Sequence, residues 1–225
     1  MQTISVAIDG PSGAGKSTLA RSIAAKLGYL YVDTGAIYRT IGYYIYTKEI
    51  DPKDETAVTA RLPEIHVELT YGEDGLQHMF LNGQDVTKEI RLPEVSMYAS
   101  AVSAHPPVRA YLLEMQRELA RTNNVIMDGR DIGTVVLPDA RVKVFLTASP
   151  EARARRRMLE LEQRGTPQPF EQILNDIRER DWNDSHRATA PLRQAEDAVL
   201  LDTTELNFQE SEAALLDIIR ERTEA

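Results

Sequence analysis

Gly10-Pro-Ser-Gly-Ala-Gly15-Lys16-Ser17 fits G-x-x-x-x-G-K-[ST] in full, and its residue types suit one task, gripping a polyphosphate. Glycines let backbone N–H groups converge on an anion with no Cβ in the way. A helix opening at the lysine adds the positive end of its dipole. Lys16 can reach the β- and γ-phosphates, and the Ser17 hydroxyl can hold Mg²⁺. The loop leaves the class open, since GTPases, motor ATPases and small-molecule kinases all use it. The guanine-reading string Asn-Lys-x-Asp is missing.

Further acids and arginines could hold a second anion. Asp33-Thr34-Gly-Ala-Ile-Tyr38-Arg39 and Asp128-Gly-Arg130-Asp131-Ile-Gly133 each follow an apolar strand, at the edge where α/β sheets bind ligands. Asp128 stands where the metal-site carboxylate of a P-loop is expected. Arg180, Asp184 and Arg187 have the i, i+4, i+7 spacing of one helical face. Arginine outnumbers lysine 20 to 6, and its planar fork suits bidentate phosphate contacts. Taken alone, Arg180/Asp184 also reads as an exposed ion pair and Arg153–Arg157 as a solvated cationic face. The four histidines have no ligand spacing.

These groups need a scaffold. Thr3–Ile8, Tyr29–Val32, Val125–Asp128, Val142–Leu146 and Ala198–Asp202 are short apolar runs that read as buried strands. Ser17–Leu27, stopped by Gly28, and Ala36–Tyr46 read as helices. Strand, loop, helix, strand is a βαβ opening, so the expected fold is α/β with a central parallel sheet of about five strands. His66–Thr70 and Met79–Leu81, around Gly72-Glu-Asp-Gly75, predict a hairpin in an inserted lobe at about 62–95. Pro150–Arg164, Phe170–Arg187 and Phe208–Arg222 predict three more helices. The core is then 1–61, 96–150 and 188–225, with 151–187 set apart.

Bulk properties narrow the partners. A net charge of −9 over 225 residues opposes binding nucleic acid by bulk electrostatics. With no cysteine, disulfides and thiolate metal sites are excluded. No basic, apolar leader opens the chain and no run nears the roughly 20 residues of a membrane span. A cytoplasmic protein is expected, and with no oligomerisation heptad, a monomer.

Gly10–Thr18, Asp33–Arg39, Asp128–Thr134 and Arg180-Asp-x-x-Asp184-x-x-Arg187, in that order, resemble the bacterial cytidylate (CMP) kinases along essentially the whole chain. The resemblance implies the three-layer P-loop NTPase fold, with the insert as the monophosphate-binding lobe and 151–187 as the lid region. It implies transfer of the ATP γ-phosphate to CMP or dCMP, assisted by Mg²⁺, in pyrimidine nucleotide metabolism. ATP would be held by Gly10, Pro11, Ser12, Gly13, Ala14, Gly15, Lys16, Ser17, Thr18 and the lid arginines Arg155, Arg156 and Arg157. Arg39, Arg130 and Arg187 would hold the acceptor phosphate near Thr34, and Arg180 and Asp184 the ribose. Ser100, Arg109 and Asp131 would read cytosine, with Tyr38 walling the pocket. By the same resemblance Lys16, Arg130 and Arg187 would carry the catalytic charge, and Ser17 and Asp128 would hold the metal. Rivals are a P-loop kinase of UMP, AMP or shikimate, and a nucleotide-gated regulatory protein.

Overall fold

The computed structural model describes residues 3–72 and 75–224. It divides into two compact units, one of residues 1–31 and 120–225 and one of residues 32–119.

The first unit is built on a five-stranded sheet in the order β2-β6-β1-β7-β8. These strands are β1 (Ser5–Asp9), β2 (Leu30–Asp33), β6 (Val125–Gly129), β7 (Val142–Thr147) and β8 (Val199–Asp202). β1 lies in parallel register between β6 and β7, and β7 pairs in parallel with β8. Helices α1 (Lys16–Leu27) and α8 (Phe208–Glu224) cover one face, where Leu19, Ile23, Leu215 and Ile219 pack on Val6, Ile8, Ile126 and Val144. Ala7 and Met127 alternate to the opposite face and are equally buried, as a parallel sheet covered on both faces requires. A five-stranded parallel sheet with flanking helices is the α/β arrangement expected from the βαβ opening.

Helices α6 (Pro150–Gln163) and α7 (Phe170–His186) share a small core of their own, with Ala154 and Leu161 against Ile173, Leu174 and Ile177. Ser149 caps α6 by accepting the Ala152 N–H, and Gly165 follows it at φ +74°. The expected helix to Arg187 stops one residue short. Arg187 has extended backbone, with φ −64° and ψ 141°, and the following turn is tied back by Leu192 N–H donating to the Asp184 carbonyl at 2.8 Å. Arg187 therefore leaves the helix instead of sharing its face with Arg180 and Asp184.

In the second unit, α2 (Thr34–Thr47) starts earlier than expected because Asp33 caps it, accepting the Ala36 N–H. The cap draws Thr34–Arg39 into the first turns of the helix. Helix α3 (Glu55–Thr59) follows. Then come strands β3 (Val67–Tyr71), β4 (Gln77–Leu81) and β5 (Gln84–Asp85), in an antiparallel sheet. Glu73 and Asp74, at the centre of the expected hairpin turn, lie outside the described residues. Helices α4 (Pro93–Val102) and α5 (Pro106–Thr122) complete the order. α2 and α4 approach closely at Gly42, where a Cβ would fall 2.7 Å from the Ala99 nitrogen.

Candidate active site

In the first unit, β1 runs straight into the glycine-rich loop and the loop into α1. Gly10 (φ +150°) is pressed against β7, where a Cβ would sit 1.9 Å from the Leu146 carbonyl oxygen. Only glycine fits there. Gly15, at φ +92°, is the left-handed N-cap of α1. Lys16 is buried and its Nζ donates to the Pro11 carbonyl at 2.7 Å. Burial and the nearby Arg130 charge push its pKa down to about 7, against the pull of Asp128 and Asp9. Ser17 Oγ donates to Asp128 Oδ2 at 2.8 Å, and the Tyr31 hydroxyl donates to Asp128 Oδ1 at 2.8 Å. Hydroxyl and carboxylate oxygens are hard donors that fit Mg²⁺, which takes one or two carboxylates and leaves its other positions to phosphates and water. Among the described residues no group of three or more His, Cys, Asp or Glu side chains could hold a metal by itself.

The turn after β6 carries Arg130 and Asp131, and both are tied to the end of α7. Arg130 Nε donates to Asp184 Oδ2 at 2.7 Å, and Arg187 Nη2 approaches Asp131 Oδ1 at 3.4 Å. Burial alone would raise the Asp184 pKa. The guanidinium of Arg130, with Arg180 and Arg187, outweighs it and holds the carboxyl below its usual range. Arg130, Asp131, Arg180, Asp184 and Arg187 thus form one charged cluster. The exposed neighbour Trp182 stacks on His186, with ring centroids 3.5 Å apart and planes 16° apart.

The second unit holds Thr34, Tyr38, Arg39, Ser100 and Arg109. Thr34 is buried at the start of α2. Arg39 Nη2 pairs with Asp33 Oδ2 at 2.9 Å. Asp33 is gripped in turn by Gln77 of β4, whose Oε1 accepts the Asp33 N–H at 2.9 Å and whose Nε2 donates to the Asp33 carbonyl at 3.3 Å. The small sheet is thus attached to the cap of the helix that bears Arg39. Arg109 is buried, donates to the Ser103 carbonyl at 3.0 Å and lies over the Tyr38 ring at 5.5 Å. Ser100 lies on α4, one residue after the close approach at Ala99.

The cationic run of α6 is divided. Arg155 and Arg157 are exposed, and Arg157 pairs locally with Glu160 at 2.8 Å. Arg156 donates to the Thr203 carbonyl after β8. Arg153 is buried, and its guanidinium joins the Ser12 carbonyl of the loop to both oxygens of Asp181 on α7. The sequence marks Asp33 and Arg153 within their motifs but not these contacts, and it does not mark Asp181 or Gln77. Sequence reasoning also passed over Asp9, which ends an apolar strand as Asp128 does and so carried a readable signal.

A protein-family model described as cytidylate kinase matches residues 6–221. The chain belongs to the cytidylate kinase family. It is 49% identical over 218 residues to a cytidylate kinase of Caldicellulosiruptor bescii, covering 97% of this chain and 96% of that protein. To a cytidylate kinase of Shouchella clausii it is 50% identical over 218 residues, with the same coverage of 97% and 96%. A solved structure titled as an uncharacterized protein from Eubacterium ventriosum aligns over 100% of both chains at 13% identity and a TM-score of 0.52. That likeness concerns the fold alone. The family match takes in both the loop at 10–17 and the cluster around Arg130.

Proposed function

We propose that this protein transfers the γ-phosphate of ATP to CMP or dCMP, giving CDP or dCDP and ADP. The observation that carries the reading is the meeting, in the first unit of a cytidylate kinase family chain, of a complete phosphate loop with the cluster of Arg130, Asp131, Asp184 and Arg187. A regulatory nucleotide switch needs no such second anion site.

A nucleoside monophosphate has a second pKa near 6, so its attacking oxygen is already anionic at neutral pH and no general base is required. The obstacle is bringing two anions together. Lys16, Arg39, Arg130 and Arg187 would offset that charge and align the acceptor oxygen with the γ-phosphorus for in-line displacement. Ser17 and Asp128 would hold Mg²⁺, which when bound supplies further positive charge to the β- and γ-phosphates. Arg180 and Asp184 would take the ribose hydroxyls, and Thr34 the vicinity of the acceptor phosphate. Ser100, Arg109 and Asp131 would read the base beside Tyr38. A carboxylate at Asp131 accepts from the cytosine amino group and repels the carbonyl oxygen that uracil presents there.

Residues 62–95 would serve as the monophosphate lobe and 151–187 as the lid, whose exposed Arg155 and Arg157 suit contacts to ATP. Closure would keep water from the γ-phosphate. The protein would act as a cytoplasmic monomer. Among the described residues no helix is long and apolar enough to cross a membrane.

A coupled ADP-release assay across CMP, dCMP, UMP, AMP and shikimate tests the reading. CMP and dCMP should be the best acceptors. Preferential turnover of any of the other three, or ADP release independent of an acceptor, would overturn it.

A further inference from the structure

We infer that Asp9 is a positioning residue for the acceptor: its carboxylate holds the backbone of the turn that presents Arg130 and Asp131. Its two oxygens accept the N–H groups of Ile132 and Gly133, each at 2.7 Å. Asp9 is 5% exposed, so both are charge-assisted bonds out of reach of water. The inference rests on the CMP kinase reading, because that reading gives the turn its substrate.

The local backbone needs such an anchor. Asp131, at φ −148° and ψ 25°, lies outside regular structure, and a single π-helical turn, Ile132–Val136, follows it. Such turns are rare and gather at functional sites. The first N–H groups of a helical turn have no partner within it, and Asp9 satisfies two of them from a neighbouring strand. A Cβ at Gly133 would meet Lys143 Cδ at 3.2 Å and Asp9 Oδ2 at 3.4 Å, so glycine lets the turn settle onto the carboxylate. The turn in turn sets the roots of the Arg130–Asp184 and Asp131–Arg187 pairs.

Burying a carboxylate is unfavourable, and an apolar residue would end the strand without that cost. It would also leave two buried N–H groups unsatisfied. The tension is visible at Asp9 itself. Burial pushes its pKa up to about 6, while the Gly133 and Ile132 N–H groups pull it back.

Asp9→Asn tests the inference, since it offers one acceptor and one donor where two acceptors are needed. The KM for CMP should rise about tenfold, one order for a lost charge-assisted bond, while the KM for ATP stays within about twofold. Amide hydrogen exchange should quicken at 131–136 and not in the strands. An equal or larger rise in the KM for ATP would make Asp9 a support of the phosphate loop and overturn the inference. So would unchanged constants. If the Asn variant loses its native thermal midpoint, Asp9→Ser, which can still accept one N–H, carries the same comparison. If the wild-type protein does not phosphorylate CMP, the functional reading fails separately, and exchange at 131–136 no faster in Asp9→Asn still overturns the anchoring role.

Discussion

Arg153 and Asp181 form a two-pronged ion pair, at 3.0 and 2.6 Å, and the same guanidinium holds the Ser12 carbonyl at 2.9 Å. The phosphate loop is thus joined to α7 at the residue next to Arg180. Asp181→Asn keeps the shape and leaves Arg153 its two carbonyl partners, Ser12 and Ala148. It should lower stability by about 1–3 kcal/mol in urea unfolding, the range for one partner lost from a buried charged bond. It should also raise the KM for ATP more than that for CMP. Unchanged values for both would show that the joint has no bearing on nucleotide binding.

The arginines of α6 should separate by role. Arg155→Ala combined with Arg157→Ala removes exposed charge, and the exposed Arg157–Glu160 pair adds little to stability. Turnover should fall about tenfold, one lost charge contact in the transition state, with the thermal midpoint unmoved. Arg156→Ala removes the donor to the Thr203 carbonyl, so it should lower the midpoint by several degrees. Full activity in the double variant would exclude Arg155 and Arg157 from the ATP site.

Base choice should pass through Asp131. Because Arg187 also pairs with it, Asp131→Ala should raise the KM for CMP and UMP alike, and the ratio is the informative quantity. Preference for CMP over UMP in kcat/KM should narrow about tenfold, within the range of a base-edge contact. An unchanged ratio would assign base reading to other groups.

Asp184 gives stability a pH signature. Its folded pKa lies below the ordinary 3.8, so its ionised form favours the folded state above that value, and the contribution is lost as pH falls through the folded pKa. Asp184→Asn should therefore unfold at lower urea than the wild type between pH 7 and 5, by about 1–3 kcal/mol. The gap should narrow below pH 4. A constant gap across that range would mean that charge pairing with Arg130 contributes nothing.

What the sequence made legible was local. The phosphate loop, the apolar strands and the Gly28 stop each depend on a few neighbouring residues, and they lie where periodicity puts them, within a residue or two. What escaped depends on partners far along the chain. The i, i+4, i+7 spacing extends α7 to Arg187, but the chain turns out at that residue, with Ala190 at φ +49° and its carbonyl accepting Arg187 Nε. Nothing in the run Arg153–Arg157 distinguishes the one that is buried, since α7 decides which side of α6 is covered. The glycine at 42, inside α2, is explained only by α4 lying against it. The hairpin was recognisable, whereas its hold on Asp33 through Gln77 arises only when strand and helix cap meet in space.

The stack of Trp182 on His186 gives the protein an optical label of its own. This is the sole tryptophan in the chain, so the whole indole emission comes from α7, one residue from Asp181 and two from Asp184. If CMP settles on the charged cluster beside it, the indole reports that step in stopped flow, with no dye attached and no residue replaced.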